Sequence, residues 1–205
     1  MLMGKLDLNK KQKRESLLNT AFHLFMTNGI NKTTISDIVN NAGVAKGTFY
    51  LYFKDKYDIR NKLVSHKASL LFSAAIEALK TLTTPFAFED QIIYIVDFII
   101  DQLDSDKALL QFLSKNLSWG VFKNALIRPA FEDDINCYDI YMDMIKNSGF
   151  SFRDPEIMLF LIIELIDASI YSPILYNEPV NIQQLKPDLY DTIRYILNSH
   201  KEETP

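Results

Sequence analysis

Apolar residues recur at spacings of three and four along almost the whole chain, and no stretch alternates apolar and polar positions between hairpin turns. That pattern predicts an all-α protein. A first helix is expected from about Lys10 to Asn28, with Leu18, Ala21, Phe22 and Phe25 on one face and Gly29 to stop it. Thr34 and Asp37 stand in capping-box register before a second helix, whose stripe is Ile35, Ile38, Val39 and Ala42. Gly43 breaks that helix, Val44 plugs the angle, and a short third helix follows through about Tyr52. Asp55 is placed to cap a long fourth helix running through Leu63, Leu71, Ala75 and Leu79 to a break at Thr83-Thr84-Pro85. Further helices are predicted over Glu89–Leu103, Asp106–Leu117, Trp119–Ile127, Pro129–Asn147, Asp154–Tyr176 and Leu185–Ser199. Asp154 is expected to cap, with Pro155 in the first helical position, and Pro173 is expected to kink or end the helix. The Asp154–Tyr176 segment is apolar nearly all round, so it needs partners on more than one side.

Charge divides the 205 residues unevenly. The formal net charge is −4, but residues 1–67 hold twelve Lys and Arg against five Asp and Glu, a balance of +7, which leaves −11 for residues 68–205. A basic N-terminal head on an acidic body is the layout of a nucleic-acid-binding module carried on a domain with another task. The expected organisation is a head over residues 1–54 and a body over 55–205. The sole cysteine, Cys137, cannot form an internal disulfide and reads as a small buried hydrophobe. The start, Met1 to Lys5, leads into a lysine-rich segment, and the longest apolar run, Ile157 to Ile163, stops at Glu164. No membrane span is expected, and the protein is predicted to be soluble and cytoplasmic.

Enzymatic chemistry finds no foothold. Three scattered histidines (His23, His66, His200), one cysteine and no glycine-rich phosphate loop supply neither a nucleophile pair nor metal-ligand spacing. No enzyme activity, metal or cofactor is expected.

The informative segment runs from Thr33 to Lys56. A helix that reads the major groove needs small side chains and donors in its first turn, and Ala45, Lys46, Gly47 and Thr48 meet that need. Phe49 and Phe53, four apart, can anchor the helix inward, while Tyr50 and Tyr52 carry hydroxyls at phosphate distance and Lys54 and Lys56 add charge. The same tyrosines also suit plain packing, and the lysines plain solvation. A basic arm of Lys5, Lys10, Lys11, Lys13 and Arg14 is open to the same two readings.

The ordered set Thr34, Ala42-Gly43-Val44, Gly47, Phe49-Tyr50, Tyr52-Phe53 and Lys56 resembles the N-terminal signature of the TetR family of bacterial transcriptional regulators over about Ala21 to Leu63. Two departures stand out: Ala45 takes the place of the usual serine, and Val39 that of the usual alanine. The resemblance implies a three-helix helix-turn-helix head followed by a helical ligand-binding and dimerisation bundle. It implies DNA contacts from Thr33, Thr34, Ala45, Lys46, Gly47, Thr48, Tyr50, Tyr52, Lys54 and Lys56, with Lys46, Gly47 and Thr48 on base edges and Thr34, Tyr50, Tyr52 and Lys56 on phosphates.

For the body, the resemblance implies a small-molecule pocket and a homodimer formed through the last two long helices. Candidate pocket residues are Tyr94, Phe98, Asp101, Phe112, Trp119, Phe122, Tyr138, Tyr141, Glu164 and Asp167. The acids draw attention because a buried carboxylate is unfavourable unless paired: Asp97 and Asp101 lie one turn apart, as do Glu164 and Asp167. They either meet a cationic or polar ligand head or are structural. Candidate dimer residues are Phe160, Ile163, Ala168, Ile170, Leu189, Ile193 and Ile196. The function implied is a repressor released from a palindromic duplex operator by a small molecule. An activator of the same fold and a helical adaptor that does not bind DNA are the alternatives.

Overall fold

The structure is a computed structural model, and it describes residues 5–82, 86–116, 129–132 and 134–202. Among these residues it contains nine helices and no strand: α1 (Lys5–Asn28), α2 (Ile35–Ala42), α3 (Lys46–Tyr52), α4 (Lys56–Lys80), α5 (Phe88–Ser105), α6 (Lys107–Asn116), α7 (Cys137–Asn147), α8 (Pro155–Tyr176) and α9 (Ile182–Ser199). The chain divides into two compact units, Met1–Val64 and Ser65–Pro205. The boundary falls inside α4, ten residues beyond the residue-54 division drawn from the sequence, because Ile59, Leu63 and Val64 are themselves wholly buried.

In the first unit, α1 packs on α2 and α2 on α3. Their shared core is Leu17, Leu18, Ala21, Phe25, Ile38, Val39, Phe49 and Phe53, joined by Ile59 and Leu63 from the start of α4. Burying such side chains contributes about 1.5–3 kcal/mol each relative to leaving them in water. Thr34 and Asp37 form the expected capping box: the Thr34 hydroxyl accepts from the Asp37 amide at 3.1 Å, and the Asp37 carboxylate accepts from the Thr34 amide at 2.9 Å. The Thr34 hydroxyl also donates to the Asp37 carboxylate at 2.7 Å, and that bond first, with the one from the Thr34 amide second, holds the Asp37 carboxyl below its ordinary range. Gly43 ends α2 in the left-handed region at φ 66°, a conformation only glycine reaches without strain.

The second unit departs from the sequence reading at several helix ends. The helix expected over Pro129–Asn147 begins only at Cys137, where the Asn136 side chain accepts from the Asp139 amide. Ahead of it, Asp134 is held 2.6 Å from His66 Nδ1 on α4, which fixes this segment outside a helix. Asp154 does not cap α8, because it sits in the left-handed region and its side chain makes no cap bond. Pro173 does not end α8 either: the helix runs on to Tyr176 and stops at Asn177, itself left-handed. The last helix starts three residues early, since Asn181 caps it by accepting from the Gln184 amide. The helix expected at Trp119–Ile127 and the break at Thr83–Pro85 lie outside the described residues.

α8 packs against α9 and α6, and α5 against α6 and α9. By length and composition α8 is apolar enough to cross a membrane, with a mean hydropathy of 1.9 over its best window, which the reading of unbroken apolar runs missed. Its Ile157, Leu161, Ala168 and Tyr176 are exposed, so part of its apolar surface is left for something else to cover.

Candidate nucleic-acid interface and effector cavity

The turn from α2 into α3 leaves one face of α3 outward. Phe49 is fully buried and Phe53 nearly so, and the two rings lie 5.4 Å apart, anchoring the helix. Lys46, Gly47, Tyr50 and Leu51 are exposed on the other side, with Thr48 half-buried. At Gly47 an added Cβ would meet nothing within 4 Å, and the backbone is ordinary helix. The fold does not require a glycine there, although glycine weakens a helix by about 1 kcal/mol relative to alanine.

Ala45 occupies the cap position of α3 in extended geometry, and no side chain caps the helix. The serine that the family pattern carries there would accept from the free amides of the first turn. Ala45→Ser should therefore raise unfolding stability by about 0.5–1 kcal/mol, read from urea titration followed by circular dichroism.

Three residues expected to contact DNA are engaged within the unit. Thr33 is fully buried and its hydroxyl donates to the carbonyls of Gly29 (2.9 Å) and Leu24 (3.3 Å), so it closes the turn after α1 and cannot touch DNA. Lys56 Nζ donates to the carbonyls of Ile30 (3.0 Å), Asn31 (3.1 Å) and Thr33 (3.3 Å), which uses all three of its N–H groups. The Tyr52 hydroxyl donates to the Lys10 carbonyl at 3.1 Å, 42 positions away, tying α3 to α1. Thr34 and Lys54 remain exposed. Leu51 is the residue that sequence reasoning missed: it is 79% exposed, which the apolar letter alone does not suggest. Its register supplies a signal, since it lies four residues after Gly47 and two after the buried Phe49.

The second unit encloses a cavity of about 140 Å³. Its walls come from α4 (Ser69, Phe72), α5 (Ile99, Leu103), α6 (Leu110, Leu113, Ser114), α7 (Cys137) and α8 (Ile163, Ile166, Asp167, Ile170). The lining is almost wholly apolar. The Ser69 hydroxyl is occupied by the backbone of Ile135, and burial pushes the Cys137 thiol up to about 12, reinforced by the Asp134 carboxylate. Among the described residues, Asp167 is the one carboxylate in the wall. Burial raises it, the nearby Glu164 charge adds to that, and a hydrogen bond from Ser114 opposes both.

Of the pocket residues proposed from sequence that are described, Asp167 alone lines this cavity. Phe98 packs against the Ala75, Ile76 and Ile95 cluster, and Phe112 is core. The Tyr141 hydroxyl donates to the Pro155 carbonyl at 2.9 Å, with the half-buried Tyr138 ring 6.4 Å away. Tyr94 is half-buried outside the cavity wall and Glu164 is exposed. Asp101 and Asp97 are bound to Lys186, whose Nζ lies 2.5 Å from each, so this pair is structural rather than ligand-facing. Trp119 and Phe122 lie outside the described residues.

The proposed dimer residues also separate. Ile170, Leu189 and Ile193 are buried inside their own unit and cannot be a surface, while Phe160, Ile163 and Ile196 are half-buried and Ala168 is exposed. The exposed stripe of α8 is instead Ile157, Leu161, Glu164 and Ala168, at helical spacing along one face.

Residues 17–63 match the model of bacterial regulatory proteins of the tetR family. The chain is 40% identical over 68 residues to the uncharacterized HTH-type transcriptional regulator YvdT of Bacillus subtilis, an alignment that spans 33% of each chain. The match thus covers only a third of that relative's length. Among solved structures, a TetR-family regulator from Syntrophomonas wolfei aligns with a TM-score of 0.67 at 20% identity, over 91% of this chain and 95% of that one. The regulator FadR of Bacillus subtilis, solved in complex with stearoyl-CoA, aligns with a TM-score of 0.58 at 18% identity, over 87% and 96%. The match to the tetR family thus lies on the helix-turn-helix of the first unit, and the fold is shared almost end to end with solved regulators of that family.

Proposed function

We propose that this protein is a dimeric transcriptional regulator, a repressor that two heads hold on a near-palindromic operator until a small molecule enters the cavity of the second unit. One observation carries the reading most directly: Lys46, Gly47, Tyr50 and Leu51 face outward from a helix pinned by a wholly buried Phe49, on a head with a positive balance of charge. Lys46 donates to guanine acceptors, Tyr50 and the exposed Thr34 hold phosphates, and Leu51 packs on a thymine methyl group. The exposed α8 stripe supports dimerisation, because a second copy related by two-fold symmetry would cover Ile157, Leu161 and Ala168 with the same residues.

Selection from a random duplex pool, followed by titration of the enriched sequence, tests the DNA reading. Lys46→Ala should flatten the preference at one base pair, by about 1–3 kcal/mol of discrimination, while Tyr50→Phe should weaken every duplex alike. A pool from which nothing is enriched, with no salt-dependent binding to random duplex, would refute it. Light scattering should return twice the chain mass of 23.7 kDa, and Leu161→Arg should return the single chain mass. Reciprocity fixes the switch: an effector that weakens operator binding must itself bind the operator complex more weakly by the same factor.

A further inference from the structure

The cavity of the second unit has a definite chemical character. At about 140 Å³ it is close to the engineered apolar cavity of about 150 Å³ that accepts benzene, so it suits one ring or a short branched chain. Its walls repel water along almost their whole area, yet Asp167 and Ser114 stand together at one place in them. The Ser114 hydroxyl stands near the carboxylate and favours its charged form, and a carboxylate accepts up to about four hydrogen bonds. Among the described residues no cation pairs with Asp167, and the charge nearest to it in sequence register is that of Glu164, of the same sign. Other carboxylates of this unit do have partners: Asp97 and Asp101 meet Lys186, Asp90 meets Arg194, Glu89 meets Lys201, and Asp134 lies against His66.

We infer that the effector is a compact hydrophobic amine, whose ring or chain fills the apolar cavity and whose ammonium group pairs with Asp167 beside Ser114. The inference rests on the cavity being the effector site. An ammonium group supplies what no described residue of the wall offers, a positive charge with several N–H donors, and a neutral body of this size supplies the rest of the fit. An anionic ligand of equal size meets repulsion from Asp167 and Glu164 together. A neutral hydrocarbon fills the space and leaves the carboxylate as it was.

Three probes of nearly equal size separate these cases on the full-length protein: benzylamine, ethylbenzene and benzoate, titrated by calorimetry or by chemical-shift changes at pH 7. Benzylamine should bind at least about tenfold more tightly than ethylbenzene, and benzoate more weakly than either. Asp167→Asn should erase the preference for the amine while leaving ethylbenzene affinity unchanged, which also reports that the cavity is intact. Leu113→Trp, which fills the cavity, should abolish both. An amine preference that survives in Asp167→Asn, or benzoate binding as tightly as benzylamine, would overturn the assignment of the ligand class while leaving the cavity in place. If neither benzylamine nor ethylbenzene bound the wild-type protein, the cavity itself would fall as the effector site, and the DNA reading would stand untouched.

Discussion

Replacing Lys56 by methionine is expected to destabilise the first unit by about 1–3 kcal/mol and to leave the salt dependence of duplex binding as it is in the wild type. Its ammonium group donates to three carbonyls at 3.0–3.3 Å, those of Ile30, Asn31 and Thr33, in the turn that delivers the chain from α1 to α2. Each such charge-assisted bond is worth more than a neutral one, but water can reach part of this site and replace some of what is lost. Hence the range stays below the sum of three bonds. A lysine that neutralises a phosphate behaves differently, since its loss lowers the slope of log K against log salt by about 0.9 and barely touches folding. Lys46→Met or Lys54→Met should show that second pattern. Measuring urea midpoints and salt slopes on the three variants decides the matter, and a Lys56→Met protein of full stability with a reduced slope would return this residue to the phosphate face.

Lys56 also shows where the sequence stops being informative. The family signature fixes that a lysine belongs at this position, but a signature reports recurrence and not the reason for it, and so long and flexible a side chain can reach outward to DNA or back to a carbonyl. Thr33 and Tyr52 were ambiguous in the same way. Thr33 and Thr34 are neighbours in sequence, yet one is sealed under the turn and the other caps α2 at the surface, a difference set by which way the backbone rotates between them. The head itself was legible because its signals are local: a capping box, a left-handed glycine and two phenylalanines one turn apart each act within four residues.

The body was legible in its helices and illegible in its pairings. Apolar periodicity marked α5, α6, α8 and α9 within a few residues, whereas periodicity says nothing about which apolar face meets which. Leu189 and Ile193 were thus assigned to a dimer surface when they are the face that α9 turns into its own unit. The aromatic residues misled for a related reason. Large rings are where packing is densest, so Phe112 and Tyr141 mark filled space, and the space left open is lined by branched aliphatics on α6 and α8. Glu164 and Asp167 differ by three positions, and only the second faces that space.

The other pair of acids gives the second large effect. Lys186→Met should lower stability at pH 7 by about 1–3 kcal/mol, because it leaves Asp97 and Asp101 side by side without their shared cation. The Lys186 side chain is only 9% exposed, whereas Asp97 and Asp101 are 42% and 51% exposed, so water screens part of the repulsion and the figure is set below that of a fully buried pair. Burial alone would raise Asp97, but the hydrogen bonds from Lys186 and Tyr190 and the charge of Lys186 outweigh it and hold the carboxyl below its ordinary range. Burial likewise opposes the charge on Lys186, and the two aspartates outweigh it, raising the ammonium group above its ordinary value. The sign of the pH dependence follows from these directions. A lowered Asp97 contributes stability that is present above the ordinary aspartate value of about 3.9 and is lost as pH falls through its folded value. A raised Lys186 contributes stability that is present below about 10.4 and is lost as pH rises through its folded value. Urea midpoints of wild type and Lys186→Met should therefore differ most across the neutral range and begin to converge as pH falls below about 4 toward the lowered folded value of Asp97. A difference that stayed constant down to pH 3 would mean that the methionine acts through packing, and that the link between α5 and α9 is not the ion pair.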